Sequence, residues 1–203
     1  MILSPVILEG RRVRLEPLAQ KHHGALCAIG LDPELWEFIP YRVITPEDMA
    51  GYIQTALDAQ ASGTALPFAI VQVSPHAPLG QVIGSTRYMN IDRANRRVEI
   101  GATWIATPWR RTAVHTEAKY LMLRYAFETL GCIRVEFKTD ALNQRSRNAI
   151  RRIGATEEGT LRQHMITWSG RLRDSVYFSI LDSEWPRVKQ DLEQKLTHSS
   201  TAV

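Results

Sequence analysis

The strongest helical pattern in this chain covers residues 116–131, and it follows closely on an alternating strand pattern at 98–105. Thr116 and Glu117 are typical of a helix start and Gly131 of a helix stop, and apolar residues between them recur at helical spacing. The sequence therefore predicts a strand, a connecting loop and the start of a strong helix side by side, and the other elements have to be arranged around this unit.

The connecting loop at 106–115 carries two adjacent arginines, Arg110 and Arg111, just before the predicted helix. The first backbone N–H groups of a helix have no partner within the helix, and the helix dipole adds partial positive charge at the same end. Together with the two guanidinium groups, this arrangement predicts a site for an anion. The alternative is that the arginines are ordinary surface residues and that Thr116 only caps the helix.

The remaining patterns predict one mixed α/β domain with the element order β-α-α-β-β-β-α-β-α-β-β-α. Further strands are predicted within 2–18, at 65–73, at 81–91, at 132–139 and on either side of a tight turn at Ser169-Gly170. Further helices are predicted at 19–31, from a cap at Thr45 to 61, at 143–154 and at 183–196, with a turn at 74–81. We expect the domain to span 1–203, with its core at 8–185 and a disordered tail at 197–203.

Composition limits the classes of function. The chain of 203 residues is 44% hydrophobic with a net charge of +4, which suits an anionic ligand but falls short of a nucleic-acid-binding surface. The sequence contains neither of the glycine-rich motifs that bind dinucleotides or nucleoside triphosphates. Cys27 and Cys132 lie in no CxxC pair, so no metal site is expected. With no signal peptide and no apolar run of about 20 residues, we expect a soluble cytoplasmic protein without membrane contact.

Several segments resemble one known family. They are GRRVRLEPL in the first strand, IGSTRYMNID and VEIGATWI in the middle of the chain, the run from Trp109 to Gly159, and RDSVYFSIL near the end. Across residues 8–185 the chain resembles the GCN5-related N-acetyltransferase (GNAT) superfamily, and within it the RimJ/RimL-like acetyltransferases of ribosomal-protein N-termini. The resemblance implies an α/β (mixed α+β) fold in which a mostly antiparallel sheet splits into a V, with helices on both sides. It also implies acetyl-coenzyme A as the cosubstrate, bound in the V, and no metal.

The resemblance also assigns the coenzyme site. The pyrophosphate is expected on the loop and helix start, where the family motif reads Gln/Arg-x-x-Gly-x-Gly/Ala. Main-chain groups of the central strand are expected to pair with the pantetheine arm, and a loop asparagine is expected to contact the same arm. The predicted coenzyme-binding residues are Trp104, Ile105, Ala106, Arg110, Arg111, Thr112, Ala113, Val114, His115, Thr116, Asn143 and Ser146.

This chain departs from the motif at its two small residues. Arg110 takes the first position, but Ala113 replaces the first glycine and His115 replaces the last small residue. Glycine is needed where φ is positive or where a ligand approaches the backbone closely, whereas alanine suits a helical first turn. If residues 111–116 are helical, their N–H groups stay available, and His115 either points outward or donates a ring N–H to the phosphate.

Two side chains are predicted to carry the reaction. By resemblance Glu99 faces the acceptor amine and Ser146 lies near the thioester sulfur. Glu99 would then remove a proton, directly or through water, and Ser146 would protonate the leaving thiolate. The alternative for Glu99 is a surface acid paired with Arg96 or Arg97. Cys132 lacks an evident base, so we expect direct transfer to a primary amine, either a protein N-terminus or a small molecule. A coenzyme A sensor or an inactive relative is the alternative function.

Other residues keep two interpretations. Asn143 is expected to cap a helix in addition to binding the coenzyme. Arg147 and Arg151 share one helix face, where they either meet the 3′-phosphate of the nucleotide or are merely solvated. The segment 36–41 and the hairpin at 168–170 are expected to form the acceptor groove, with aromatic residues that core packing explains equally well. An exposed sheet edge leaves room for a homodimer.

Overall fold

The computed structural model describes residues 1, 3–74, 77–110 and 112–198, of which 74 and 77–79 are described for the backbone alone. Over these residues eight strands form one sheet. The strands are β1 (Leu8–Glu9), β2 (Val13–Pro17), β3 (Leu66–Ser74), β4 (Ala77–Asp92), β5 (Arg97–Ile105), β6 (Arg134–Asp140), β7 (Thr156–Ile166) and β8 (Leu172–Leu181). The helices are α1 (His23–Gly30), α2 (Pro46–Ala61), α3 (Ala113–Arg124), α4 (Gln144–Arg152) and α5 (Trp185–His198).

The sheet is split at its centre. Its strand order is β1-β2-β3-β4-β5-β6-β8-β7, and every neighbouring pair is antiparallel except β5 and β6. These two parallel strands pair only where Arg97–Glu99 lies beside Arg134–Glu136. Beyond that point β5 stays paired with β4 and β6 stays paired with β8, so the two strands part. The predicted V in a mostly antiparallel sheet is confirmed.

Helices cover both faces of the sheet. Neighbouring residues of β4 show the two sides, because successive side chains of a strand point to opposite faces. Ser85 accepts a hydrogen bond from the Tyr52 hydroxyl of α2 at 3.1 Å, whereas Thr86 contacts the Met122 sulfur of α3 at 3.6 Å. α1 and α2 enclose one apolar cluster around Trp36, and α3 and α5 enclose a larger one on the other face. The predicted mixed α/β class is therefore confirmed.

The start of α2 follows the sequence prediction. Thr45 Oγ1 accepts a hydrogen bond from the N–H of Asp48 at 3.1 Å, and Asp48 Oδ2 accepts one from the N–H of Thr45 at 3.0 Å. This reciprocal pair forms a capping box, and Pro46 occupies the first helical position, where no N–H donor is needed. The local sequence alone therefore fixes where this helix begins.

The start of α3 differs from the prediction. The helix begins at Ala113, three residues before Thr116, and Thr112 precedes it in an extended conformation with φ −103° and ψ 170°. Thr116 is therefore buried inside the helix instead of capping it. Glu117 has a long-range role, because its carboxylate accepts hydrogen bonds from the backbone N–H groups of residues 11, 12 and 13 at 2.6–3.1 Å. Thr116 and Glu117 therefore do not mark a helix start, and the acidic residue at 117 is explained by its tertiary contact with the backbone of residues 11–13.

Other boundaries shift by smaller amounts. The predicted turn at 74–81 is mostly strand, because β4 begins at Ala77, while residues 75–76 lie outside the described residues. The two-residue turn at Ser169-Gly170 is part of a five-residue loop closed by a hydrogen bond from Thr167 N–H to the Arg171 carbonyl. α5 continues to His198, so the first two residues of the predicted tail are helical, and residues 199–203 lie outside the described residues.

Candidate functional site

A cavity of about 710 Å³ opens where β5 and β6 part. One wall consists of the end of β5, the start of α3 and the helix α4 (residues 101–110, 112–119 and 143–152), and we call it the helical wall. A second wall consists of the segment after α1 and the loop before β8 with its flanks (residues 35–41 and 165–173), and we call it the loop wall. Of the second segment, only Met165 and Arg173 line the cavity. Glu99 lies between them, where the two strands begin to separate.

A β-bulge shapes β5 inside the cavity. Ala102 and Thr103 together face Thr86 of β4, and Ala102 adopts the left-handed conformation with φ +47°. A bulge bends its strand and breaks the regular ladder, which is common next to functional sites. Beyond Glu99 the β6 side of β5 is also free of strand pairing. Backbone groups of β5 in this stretch are therefore available to a ligand in the V.

The loop before α3 needs no glycine for its backbone conformation. Arg110 has φ −68°, and none of the described residues 110 and 112–116 has a positive φ. The Thr112 hydroxyl donates to the Trp109 carbonyl at 2.8 Å and does not cap the helix. The first N–H groups of α3 therefore stay available for an anion, as helix geometry requires. Arg111 lies outside the described residues.

Two guanidinium groups converge at the mouth of the helical wall. Arg110 lines the cavity and donates from Nε to the Ile105 carbonyl at 3.2 Å. Burial and the positive charge of Arg145 lower the pKa of Arg110, so the two side chains lie near each other. Arg145 also lines the cavity and was not predicted, although its place in the first turn of α4 could have indicated it. Together they make a second source of positive charge beside the start of α3.

Two further side chains of α3 face the cavity. Burial, Lys119 and Arg152 lower the pKa of His115 to about 3, so its imidazole is neutral at pH 7. Burial lowers the pKa of Lys119 to about 7, and its Nζ donates to Thr103 Oγ1 at 2.7 Å. His115 therefore faces the cavity, where a ring N–H can donate, but it adds no charge. Sequence reasoning missed Lys119 because its acceptor comes from another element.

Glu99 is not the surface acid that the alternative interpretation described. Its carboxylate is 2% exposed, accepts a hydrogen bond from Asn90 Nδ2 at 2.7 Å and lies 3.5 Å from Lys138 Nζ. Arg97 pairs instead with Asp92 at 3.3 Å and with Glu136 at 3.1 Å. The side chain of Glu99 is thus held at the base of the V by two donors while it lines the cavity.

The start of α4 brings the second predicted catalytic residue to the same cavity. Asn143 caps the helix, because its Oδ1 accepts a hydrogen bond from the N–H of Ser146 at 2.9 Å. Both side chains line the cavity, and no hydrogen bond is described for the Ser146 hydroxyl. Arg147 and Arg151 lie 3.4 and 2.5 Å from Glu157 in surface ion pairs, and neither lines the cavity.

Some of the remaining predicted residues line the cavity and others do not. Trp104 and Ile105 line the cavity with Arg110, His115, Asn143, Ser146 and Glu99. Ala106 is buried, and its N–H already donates to the Ile83 carbonyl at 2.9 Å. Thr116 turns inward and accepts from Arg152 Nη2 at 3.3 Å, and Val114 packs in the core. Thr112 and Ala113 flank the cavity without lining it. The catalytic and binding roles assigned to all these residues stay predictions.

The two segments of the loop wall contact each other, but no residue of the predicted hairpin at 168–170 lines the cavity. Trp168 Nε1 donates to the Trp36 carbonyl at 3.2 Å, and Arg173 Nη1 donates to the Phe38 carbonyl at 3.2 Å. Trp36 itself is fully buried in the core, whereas Phe38 and Tyr41 line the cavity. Part of the aromatic content of this segment is therefore packing and part faces the site.

Neither cysteine belongs to the cavity. Burial raises the pKa of the Cys132 thiol to about 11, and the pKa of Cys27 is also raised by burial. Cys132 is therefore a protonated core residue at neutral pH. In the part of the chain that the structure describes, no cluster of three or more His, Cys, Asp or Glu side chains could hold a metal ion. No helix in the same part is long and apolar enough to cross a bilayer.

Comparison with known proteins identifies relatives of this chain. A Bacillus subtilis protein named "Putative ribosomal N-acetyltransferase YdaF" is 37% identical over 106 residues, which span 52% of this chain and 57% of that protein. The match thus covers little more than half the length of this relative. The crystal structure of a GCN5-related N-acetyltransferase from Brucella melitensis has a TM-score of 0.86 at 35% identity and covers 96% of this chain and 86% of its own.

A third relative shares the fold. Mycobacterium smegmatis RimJ in complex with CoA-disulfide has a TM-score of 0.81 at 22% identity and covers 94% of this chain and 95% of its own. Residues 12–156 also match the family described as an acetyltransferase (GNAT) domain. The chain therefore belongs to the GNAT acetyltransferase domain family, and the relative named ribosomal N-acetyltransferase supports the RimJ/RimL-like type.

Proposed function

We propose that this chain transfers the acetyl group of acetyl-coenzyme A directly to a primary amine. The observation that carries the proposal is the V between β5 and β6, which has positive charge at one end and a buried carboxylate at its base. Arg110, Arg145 and the uncapped start of α3 form the positive end, and Glu99 is the carboxylate. An anionic coenzyme and an amine nucleophile need these two features in one cavity.

The residues present fit the coenzyme. A volume of about 710 Å³ lies within the range of roughly 300–1,000 Å³ that is usual for small-molecule sites. The first N–H groups of α3 suit a pyrophosphate, and no positive φ at 112–116 demands the glycines that this loop lacks. The unpaired side of β5 offers backbone groups to an amide-bearing arm, although the Ala106 N–H is already used.

The chain's own residues would then act as follows. Arg110, Arg145 and residues 112–114 hold the phosphates, and β5 at 101–105 with Asn143 holds the arm. When bound, the coenzyme supplies an acyl group activated as a thioester. A backbone N–H of β5 near its bulge polarises the carbonyl oxygen.

Proton transfer falls to two side chains that line the cavity. Glu99, oriented by Asn90 and Lys138, takes a proton from the amine, directly or through water. Ser146 is the donor to the leaving sulfur, since its hydroxyl has no described hydrogen-bond partner. Neither cysteine faces this cavity, so an acyl-enzyme on sulfur has no support.

We further propose a protein N-terminus as the acceptor. The name of the Bacillus subtilis relative points to ribosomal substrates, and the RimJ structure shares the fold. The loop wall is accessible to a chain end, because Tyr41, which lines the cavity, is 37% exposed. A ribosomal acceptor would place the reaction in the cytoplasm.

A thiol-release assay tests the proposal. Purified protein, acetyl-coenzyme A and a panel of peptides with different N-terminal residues should release coenzyme A and give N-acetylated peptides by mass spectrometry. Small amines in the same panel separate a peptide acceptor from a small-molecule acceptor. Coenzyme that binds without turnover of any amine would favour a sensor and would contradict the proposed transferase.

A further inference from the structure

A buried arginine lies in the cavity without a carboxylate partner. Arg87 of β4 is 9% exposed and lines the cavity, and its Nε has no hydrogen-bond partner. Among the ion pairs of the described residues none includes Arg87. Its guanidinium lies over the Tyr52 ring, with 5.0 Å between Cζ and the ring centroid. A guanidinium stays charged in proteins, so a full positive charge is held here by the neighbouring phenol groups of Tyr52 and Tyr41 and by no carboxylate.

Two other cations that line the cavity have anionic neighbours. Arg173 lies 3.9 Å from Asp140, and Lys138 lies 3.5 Å from Glu99. A buried charge without a counter-ion costs free energy that contacts with phenol groups offset only in part. The charge of Arg87 is therefore available to an anionic ligand.

Arg87 lies on the opposite face of the sheet from the start of α3, where the phosphates of the coenzyme are proposed to bind. Successive residues of β4 point to opposite faces, and Thr86 contacts Met122 of α3. Arg87 therefore points to the other face, where it lies over Tyr52 of α2. The uncapped start of α3 belongs to the opposite layer. In register, Arg87 lies beside Gly101, just before the bulge of β5, so it is close to where the reacting groups would meet.

We propose that Arg87 binds a carboxylate carried by the amine acceptor and thereby determines which amines are acetylated. The inference rests on the proposed transferase function and narrows its acceptor class. Two sources supply the same chemistry. One is the acidic side chain of the second residue in a peptide, and the other is the α-carboxylate of a free amino acid. The guanidinium fork suits either group, because it can donate two parallel hydrogen bonds to a carboxylate.

Matched acceptor pairs test this inference. The peptides Ser-Asp-Ala, Ala-Asp-Ala and Met-Asp-Ala are compared with their Asn counterparts, and free amino acids are compared with their amides. We expect kcat/KM of the wild-type enzyme to favour the carboxylate member of one pair by roughly tenfold or more. Which pair responds identifies the source of the carboxylate.

Variants then assign the preference to one side chain. Arg87→Met should bring the ratio of the two kcat/KM values to about one, through KM more than kcat, and Arg87→Lys should restore it in part. Arg124→Met is the matched control, since Arg124 also lies over a tyrosine ring, that of Tyr120, but on the exposed side of α3. The ratio within one variant does not depend on the fraction of folded protein.

The outcomes separate this inference from the function on which it rests. A wild-type enzyme that acetylates both members of every pair equally well would overturn the role of Arg87 and leave the transferase intact. A preference that survives in Arg87→Met would do the same. If no acceptor turns over, calorimetric binding of the same pairs in the presence of coenzyme A gives the comparison directly, and equal affinities would overturn the inference.

Discussion

The helical wall and the loop wall of the cavity are built by different means. The helical wall consists of regular elements whose starts are set locally, as when Asn143 caps α4 through the N–H of Ser146. The loop wall is mostly irregular, because it contains only the end of the 3-10 turn Pro33–Leu35 and the ends of β7 and β8. It is held by side chains that donate to distant carbonyl groups, such as Trp168 to Trp36 and Arg173 to Phe38.

The difference indicates that the two walls bind different ligands. Regular elements can hold an invariant ligand such as a coenzyme, because they fix backbone groups in space. Loops held by a few long-range contacts can change without loss of the fold, and binding specificity is often located there. We therefore expect changes in the helical wall to affect coenzyme binding and changes in the loop wall to affect the choice of acceptor.

Glu117 anchors the helical wall to the turn between β1 and β2. Glu117→Ala leaves three backbone N–H groups without their acceptor, so we expect the free energy of unfolding to fall by about 3–5 kcal/mol. Urea denaturation measures this change. Glu193→Ala is the control, because Glu193 is exposed and its carboxylate accepts a hydrogen bond from the Tyr120 hydroxyl, and it should cost less than about 1 kcal/mol. Equal losses for both variants would show that Glu117 is no anchor.

Glu99 lies where the two walls meet. In Glu99→Gln we expect kcat to fall by roughly a hundredfold, because the proton acceptor is lost, while coenzyme affinity stays unchanged. Glu136→Gln is a matched control, since Glu136 lies beside Glu99 in register and is also buried, but it does not line the cavity. Thiol release measures both variants. Full turnover in Glu99→Gln would remove Glu99 from the mechanism.

Lys119 is a buried cation of the helical wall with one hydrogen-bond acceptor, Thr103. Its pKa of about 7 in the fold lies below the ordinary value of 10.5, so the unfolded chain binds more protons between these two pH values. Stability due to this group therefore rises from pH 7 to pH 10.5 and is lost as pH falls through 7. Lys119→Met should raise the free energy of unfolding at pH 7 by about 1–3 kcal/mol and flatten this rise. Parallel pH profiles for both proteins would contradict the burial argument.

The smallest effects should separate the two walls. Arg145→Ala should weaken coenzyme A binding by roughly tenfold and leave the KM of the acceptor unchanged, because it removes charge from the phosphate end only. Trp168→Ala should raise the acceptor KM by roughly tenfold and leave coenzyme binding unchanged, because it breaks the contact to Trp36 within the loop wall. Calorimetry and steady-state kinetics measure the two quantities. A variant that changes both would show that the walls are coupled.

Local signals in the sequence predicted much of this arrangement. The capping box at Thr45, the cap at Asn143 and the stop at Gly131 each depend on neighbouring residues alone. Gly131 has φ +65° and follows the π-helical turn Tyr125–Thr129, which continues α3. The split sheet and the position of Glu99 between the walls came from the family resemblance. These features are predictable because short motifs or family motifs determine them.

Other features depend on contacts between distant segments. Thr116 and Glu117 have the local signature of a helix start, but Glu117 binds backbone N–H groups about a hundred positions earlier, and α3 begins at Ala113. Lys119 of α3 donates a hydrogen bond to Thr103 of β5, and the guanidinium of Arg87 in β4 lies over the ring of Tyr52 in α2. The members of each pair belong to different elements, so local sequence patterns could not place them together.

We propose above that the loop before α3 binds the pyrophosphate of the coenzyme although it lacks glycine. Calorimetric titration of the purified protein with coenzyme A, and in parallel with pantetheine, tests this directly. We expect saturable binding of coenzyme A, with pantetheine at least roughly tenfold weaker because the donors at Arg110, Arg145 and the start of α3 are then unused. No heat at millimolar coenzyme A, or equal affinity for the two ligands, would contradict it.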